Sequence, residues 1–313
     1  MARPESARIG VPDRECRISV PPGPLPFANE GISLFALQAT EREITVMPSG
    51  DVPPPDPRPV YCNGGPAERG GRIEDRRFTM LKVEFHAHTS DDPHDQIPYS
   101  AKELIDRAAG LGYDALAITL HDHQLDIRHL VSYAAERQIV LIPGVERTIE
   151  GRHVLLLNFA RGTDEVGTFE DLRRLKQQAP GLVIAPHPFF PHSSCLRGEM
   201  DRHADLFDAV EWNAMFTGLV NFNRRAERWA ARHGKPVVGN CDVHRLRQLG
   251  STYSLVDAEP SADAICAAVA AGRVELVAQA LFPWEAASIM ADLMLNGSKG
   301  RPQDVLAPGT LAS

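Results

Sequence analysis

The chain has 313 residues, 43% hydrophobic and 24% charged, with 33 Lys and Arg against 41 Asp and Glu. The length suits two average domains or one large α/β barrel, and the acidic balance disfavours a grip on long nucleic acid through its phosphates. No window holds the roughly 18 consecutive apolar residues of a membrane span, and residues 1–10 lack the apolar stretch of a signal peptide, so a cytoplasmic protein with no membrane partner is expected.

Residues 1–79 hold 13 of the 25 prolines, including Pro53-Pro54-Pro55. Such a stretch sustains neither helix nor central strand, and it reads as a mostly disordered extension, with Met80 as an alternative translation start. From Met80 short apolar runs alternate with helical patterns. Strands are expected at 81–85, 115–120, 139–142, 153–157, 182–185, 209–212, 236–239 and 274–277. Between them lie helices with legible caps, such as Ser100 with Glu103 ahead of Leu104 and Ile105, or the stop at Gly234. Repeated βα units over residues 80–281 imply a parallel barrel, and an amphipathic helix is expected at 282–294 within a C-terminal piece, 282–313. Cys16, Cys62, Cys195, Cys241 and Cys266 are far apart and odd in number, the pattern of reduced thiols.

Metal-binding side chains gather at the strand ends. His86 and His88 follow the first strand, with Asp91, Asp92, His94 and Asp95 in the loop beyond. His121, Asp122 and His123 follow the second, and Glu146 the third. His153 begins the next strand, His187 sits in Pro186-His187-Pro188, and Asp242 and His244 close the seventh. In an extended segment residues i and i+2 point to one side, so His86 and His88 can approach one site, as can Asp242 and His244. Imidazoles with carboxylates and no thiolate suit Mn²⁺, Zn²⁺ or iron. A central Glu could bridge two ions, a role assigned to Glu146. Each segment alone has a bland reading as turn, cap or solvated imidazole, but six of them at strand ends favour a metal site. His129, His203 and His233 read as surface residues and Cys241 as a packed thiol.

In order and content, Phe85-His86-Ala87-His88-Thr89, Ile118-Thr119-Leu120-His121-Asp122, Pro143-Gly144-Val145-Glu146, Arg152-His153-Val154, Pro186-His187-Pro188 and Asp242-Val243-His244 resemble the PHP (polymerase and histidinol phosphatase) family of metal-dependent phosphoesterases. The resemblance implies a distorted TIM-like (β/α)₇ barrel and a centre of two or three divalent ions (Mn, Fe or Zn). Its ligands would be His86, His88, Asp92 or Asp95, His121, Glu146, His153, His187, Asp242 and His244. Two departures stand out. Leu120 replaces the family's Asp before His121, leaving Asp122 or His123 to supply the missing carboxylate's role, and the loop after His88 lacks the usual Ser-Asp-Gly.

The expected reaction is hydrolysis of a small phosphate ester by metal-activated hydroxide, on a phosphomonoester, a nucleotide or a short oligonucleotide. Asp122, His123 and His192 are candidates for protonating the leaving oxygen. Arg197, in the 189–203 loop, and Asn213, at a strand end, are candidates for touching substrate. Two alternatives are an amidohydrolase-type metallohydrolase, which would want a strand-end Lys that this chain lacks, and a non-catalytic metal-binding scaffold, which would be expected to have lost ligands. The sequence leaves the oligomeric state open.

Overall fold

The computed structural model describes residues 80–296, and the expectations for 1–79 and for the tail past 296 fall outside the described residues. Nine strands form one sheet: β1 (Met80–Glu84), β2 (Ala115–Ile118), β3 (Val140–Ile149), β4 (Arg152–Leu157), β5 (Leu182–Ala185), β6 (Ala209–Asn213), β7 (Val237–Asn240), β8 (Thr252–Asp257) and β9 (Val274–Ala278). Their order is β7-β6-β5-β4-β3-β2-β1-β8-β9. The two ends of that order curl together: Gly239 N donates to Ser254 Oγ at 2.9 Å, and a Cβ at Gly239 would come within 2.6 Å of Tyr253 O. Only glycine allows β7 to approach β8 so closely, and the sheet becomes a nearly closed barrel.

Around it lie α1 (Ala101–Gly110), α2 (Val131–Ala135), α3 (Phe169–Gln178), α4 (Glu199–Arg202), α5 (Asn223–His233), α6 (Ala262–Ala270) and α7 (Pro283–Asn296). The capping box at Ser100 and Glu103 forms as the sequence predicts, and Gly234 ends α5 in the left-handed conformation. Period-2 alternation sorts the strand residues. Ala115 and Ala117, Leu155 and Leu157, and Leu182 and Ile184 share one cluster, while their neighbours Leu116, Ile118, Val154, Leu156 and Val183 pack outward against the helices. Ile265 and Val269 of α6 join the inner cluster, so this helix plugs the barrel at the amino-terminal ends of the strands.

The α/β barrel expected from the sequence is present, with three changes. β4 runs antiparallel to both β3 and β5, because β3 and β4 form a hairpin through Glu150 and Gly151, both at positive φ. β3 reaches to Ile149 instead of stopping at 142. Pro143-Gly144 looks like a stop in sequence, yet a Cβ at Gly144 would lie 2.6 Å from Leu157 and 2.9 Å from Thr119, so glycine serves a close approach inside the strand. β8, antiparallel to β1 and β9, was not expected at all; its inward Thr252 and Ser254 break the apolar pattern. Seven strands therefore share one direction, and β4 and β8 oppose them. Among the described residues no helix is long and apolar enough to cross a membrane.

Candidate metal centre

The carboxyl ends of the seven like-directed strands form an upper rim, and the chemistry-bearing residues collect there. Past β1 and β7 the chains remain paired through a parallel bridge between Ala87 and Val243, both packed outward under α1. Their neighbours His86, His88, Asp242 and His244 consequently face the opposite side, into the rim. A second bridge sets His121 beside Glu146. His153 lies at the start of its strand, and only the reversed direction of β4 brings it to the same rim. His187 and Asp242 hold φ angles of 29° and 52°, and Asp122 also 52°, a region costly for residues with a Cβ.

Glu146, fully buried, is the hub. Its Oε2 lies 3.2 Å from His86 Nε2, 3.4 Å from His88 Nε2 and 3.1 Å from His121 Nε2, while Oε1 lies 2.8 Å from His153 Nδ1 and 3.1 Å from His187 Nε2. Asp242 Oδ1 approaches His86 Nε2 at 3.3 Å, His88 Nε2 at 3.5 Å and His244 Nδ1 at 3.3 Å. Yet His86 Nε2, His88 Nε2 and Asp242 Oδ1, all buried, have no hydrogen-bond partner. Buried polar atoms that converge without bonding one another are arranged as donors around a cation rather than as a hydrogen-bond network. Among the described residues, four groups of three place one ligand atom each within 4.8 Å of the others: His86 with Glu146 and His187; His86 with His88 and Asp242; His88 with His121 and His244; and His121 with Glu146 and His153. These groups share members, so the residues fit more than one divalent ion.

The far nitrogens fix which lone pairs point inward. His86 Nδ1 faces Glu211 Oε2 at 2.8 Å, and Asp92 Oδ2 lies 2.9 Å from His88 Nδ1 and 3.0 Å from His121 Nδ1. Carboxylates behind imidazoles hold the tautomer that presents Nε2 to a metal. His187 differs: its Nδ1 faces Cys195 Sγ at 3.4 Å. Burial alone would push the imidazoles down and the carboxyls up. Mutual charge prevails, so that Asp242 and Glu146 raise His86 well above the usual histidine range, while His153, His86 and His121 hold Glu146 well below the carboxylate range. His121, buried and beside His88, is lowered. A cluster that holds protons where cations would sit exchanges them for metal.

The structure thus brings together His86, His88, His121, Glu146, His153, His187, Asp242 and His244. Both loop aspartates lie behind imidazoles: Asp92 as above, with Oδ1 accepting from His94 N and Asp95 N, and Asp95 with Oδ2 2.9 Å from His244 Nε2. Asp92 therefore stands behind His121 where the sequence left Asp122 or His123 to substitute. Asp122 is bound instead to β3, its carboxylate accepting from Thr148 N at 2.7 Å and Thr148 Oγ1 at 2.8 Å. His123 and His192 are exposed, His192 bonded to Ser194, whose backbone carbonyl accepts from His153 N. Arg197 is exposed on the rim loop, with Nη2 3.5 Å from Phe190 O. Asn213 is buried, its Nδ2 donating to Glu211 Oε1 at 2.9 Å and Asp242 Oδ2 at 3.3 Å. His203 and His233 stack on Phe169 and Trp229.

Sequence reasoning missed Glu84, Glu211 and Asn240. Glu84 accepts from Cys241 N and His86 N, and burial pushes it up to about 8. Asn240 Nδ2 donates to Glu211 Oε2 at 3.0 Å. The available signal was an acidic residue inside an apolar strand, as in Ala209-Val210-Glu211-Trp212, which only a paired or functional carboxylate tolerates.

Residues 220–274, which contain Asp242 and His244, match the family described as PHP-associated. The fold resembles a two-domain protein from Bacteroides vulgatus containing a predicted PHP-like metal-dependent phosphoesterase, with 20% identity and a TM-score of 0.52 over 64% of this chain and 65% of that one. It also resembles PsfC from Pseudomonas syringae, with 18% identity and a TM-score of 0.53 over 70% of this chain and 98% of that one. The lesion-specific endonuclease Q from Pyrococcus furiosus matches at 14% identity and a TM-score of 0.43, over 68% of this chain and 66% of that one. The chain thus spans about two thirds of the length of the Bacteroides protein. The PHP-associated match covers residues 220–274 alone, and the likeness to these solved structures is one of fold.

Proposed function

We propose that the chain is a metal-dependent phosphoesterase that hydrolyses a small phosphate ester. The observation that carries this reading is the convergence of unpartnered His86 Nε2, His88 Nε2 and Asp242 Oδ1 beside Glu146. We assign the ligand role to His86, His88, His121, Glu146, His153, His187, Asp242 and His244, for two or three ions of Mn, Fe or Zn. Nitrogen-rich donors suit these metals better than Mg²⁺ or Ca²⁺. Such ions, when bound, supply a nucleophilic water near neutral pH and positive charge against phosphoryl oxygens.

The protein's own groups do the rest. Asp92 and Glu211 orient the imidazoles. Asn213 holds the outer oxygen of Asp242, and the buried rim excludes bulk water from below. For protonating the leaving oxygen, His94 joins Asp122, His123 and His192 as a candidate: its ring lies edge-on to His121 at 6.1 Å, with Nε2 3.6 Å from Asp122 Oδ2. The amidohydrolase reading lacks its lysine. Among the described strands only Lys82 occurs, and its Nζ donates to Leu111 O at 2.8 Å, beside α1. The free buried thiols Cys195, Cys241 and Cys266 fit a reducing compartment such as the cytoplasm.

The test is phosphate release by the full chain, reconstituted with Mn²⁺, from a panel of phosphomonoesters, nucleotides, short oligonucleotides and a DNA duplex bearing an abasic site, with amides alongside. Release from small esters that stops with chelator and returns with Mn²⁺ is expected. Cleavage of the duplex alone would replace the small-ester reading, and amide hydrolysis without phosphate release would overturn it.

A further inference from the structure

Beside the metal centre the rim carries a second, apolar character. Leaving His187, the chain turns, Phe190 N donating to His187 O at 3.2 Å, and sets the Phe190 ring edge-on to the imidazole at 6.4 Å between centroids. From the other side comes Asn213, which touches Asp242. Its backbone N donates to Asn223 Oδ1 at 3.0 Å, and its carbonyl accepts from Asn223 Nδ2 at 2.8 Å. The residue before Asn223 is Phe222, whose ring stands 5.4 Å from that of Phe190. Two rings from two loops, each tied to a different candidate ligand, therefore meet at the mouth of the centre. Phe222 keeps 39% of its surface exposed, and Leu219 and Val220 on the same loop keep 89% and 53%.

Exposed apolar side chains scattered singly need no explanation, but a ring pair anchored at the lip of a charged centre does. Ring pairs attract a third ring at offset or edge-on separations of about 4.5–7 Å. A phosphate held by the metals must direct its organic group outward, over this lip. Resting on the phosphoesterase reading, we infer that the substrate's organic group is a planar aromatic ring, which packs on Phe190 and Phe222. Arg197, bonded to Phe190 O, adds positive charge on the same lip.

The experiment is calorimetric titration of the Mn²⁺-reconstituted full chain with two non-hydrolysable probes, phenylphosphonate and methylphosphonate. The phenyl compound should bind about tenfold more tightly. Phe222→Leu and Phe190→Leu, which keep apolar bulk without a ring, should shrink that ratio toward unity, and circular dichroism checks that each variant folds. An adenosine 5′-phosphonate included in the series identifies the ring as a nucleobase if it binds more tightly than phenylphosphonate, and as directly attached if it binds less tightly. Equal affinities for phenyl and methyl probes, or a ratio unchanged in both variants, would overturn the ring subsite alone. Binding of neither phosphonate would overturn the phosphoesterase reading and this inference with it.

Discussion

At the lower end of the barrel, where helices hand over to strands, Gly112, Gly234 and Gly272 take positive φ angles of 70°, 62° and 75°; at the upper rim Asp122, His187 and Asp242 take 52°, 29° and 52° with full side chains. Below, the turn needs only the backbone, so the residue without a Cβ is used and no strain is stored. Above, the side chain itself is wanted at that point, and the surrounding strands hold it against the strain. Polar groups follow the same division. Lys82 below donates to Leu111 O and lies 4.3 Å from the ring centroids of both Tyr113 and Tyr253. His86 Nε2, His88 Nε2 and Asp242 Oδ1 above are left without hydrogen bonds.

Substitutions at the two ends should separate these roles. Glu146→Ala removes the carboxylate that five imidazoles face, and metal content and phosphate release should fall together, by more than the roughly 100-fold ceiling typical of groups behind a ligand. Glu211→Ala only frees the back of His86, and metal affinity should drop about 10–100-fold in a Mn²⁺ titration. Both variants should retain the barrel's circular dichroism spectrum.

Metal retention should also depend on pH. Against burial and the neighbouring His88, Asp242 and Asp95 raise His244 to about 8. The proton must leave before a cation can take its place, so affinity should climb as pH rises through about 8, with protons released on binding. An affinity independent of pH between 6 and 8, on the order of the window this shift opens, would count against His244 as a ligand. The smallest effect belongs to the lower end. Gly112→Ala meets no atom within 4 Å of its new Cβ, so it should cost only the backbone term, about 1–2 kcal/mol, read as a lower Tm with unchanged metal content.

Much of this division was legible in the sequence, because ligands at i and i+2 and imidazoles after apolar runs need no tertiary information. Seven of the nine strands, and β4 as an eighth without its direction, can be read from their apolar runs. The direction of β4 could not, since a Glu-Gly turn that makes a hairpin is indistinguishable from one that begins a loop. β8 escaped because its buried Thr252 and Ser254 mimic a polar segment, although Ser254 is consumed in closing the barrel on Gly239. Spacing also left open what the two loop aspartates face. Asp92 and Asp95 fall equally well by counting from His88 or Ser100, and only the fold sets both behind imidazoles. Glu211 is legible as a charge in a buried strand, two residues before Asn213.

The central claim is that the rim cluster is a metal centre organised by Glu146. Its most direct test is elemental analysis of the full chain after Mn²⁺ reconstitution and removal of free metal, with wild type and Glu146→Ala measured side by side. The account predicts about two or three ions per wild-type chain and less than about one in the variant. Wild-type protein that retains less than about one ion, or a variant that retains as many as wild type, would contradict it.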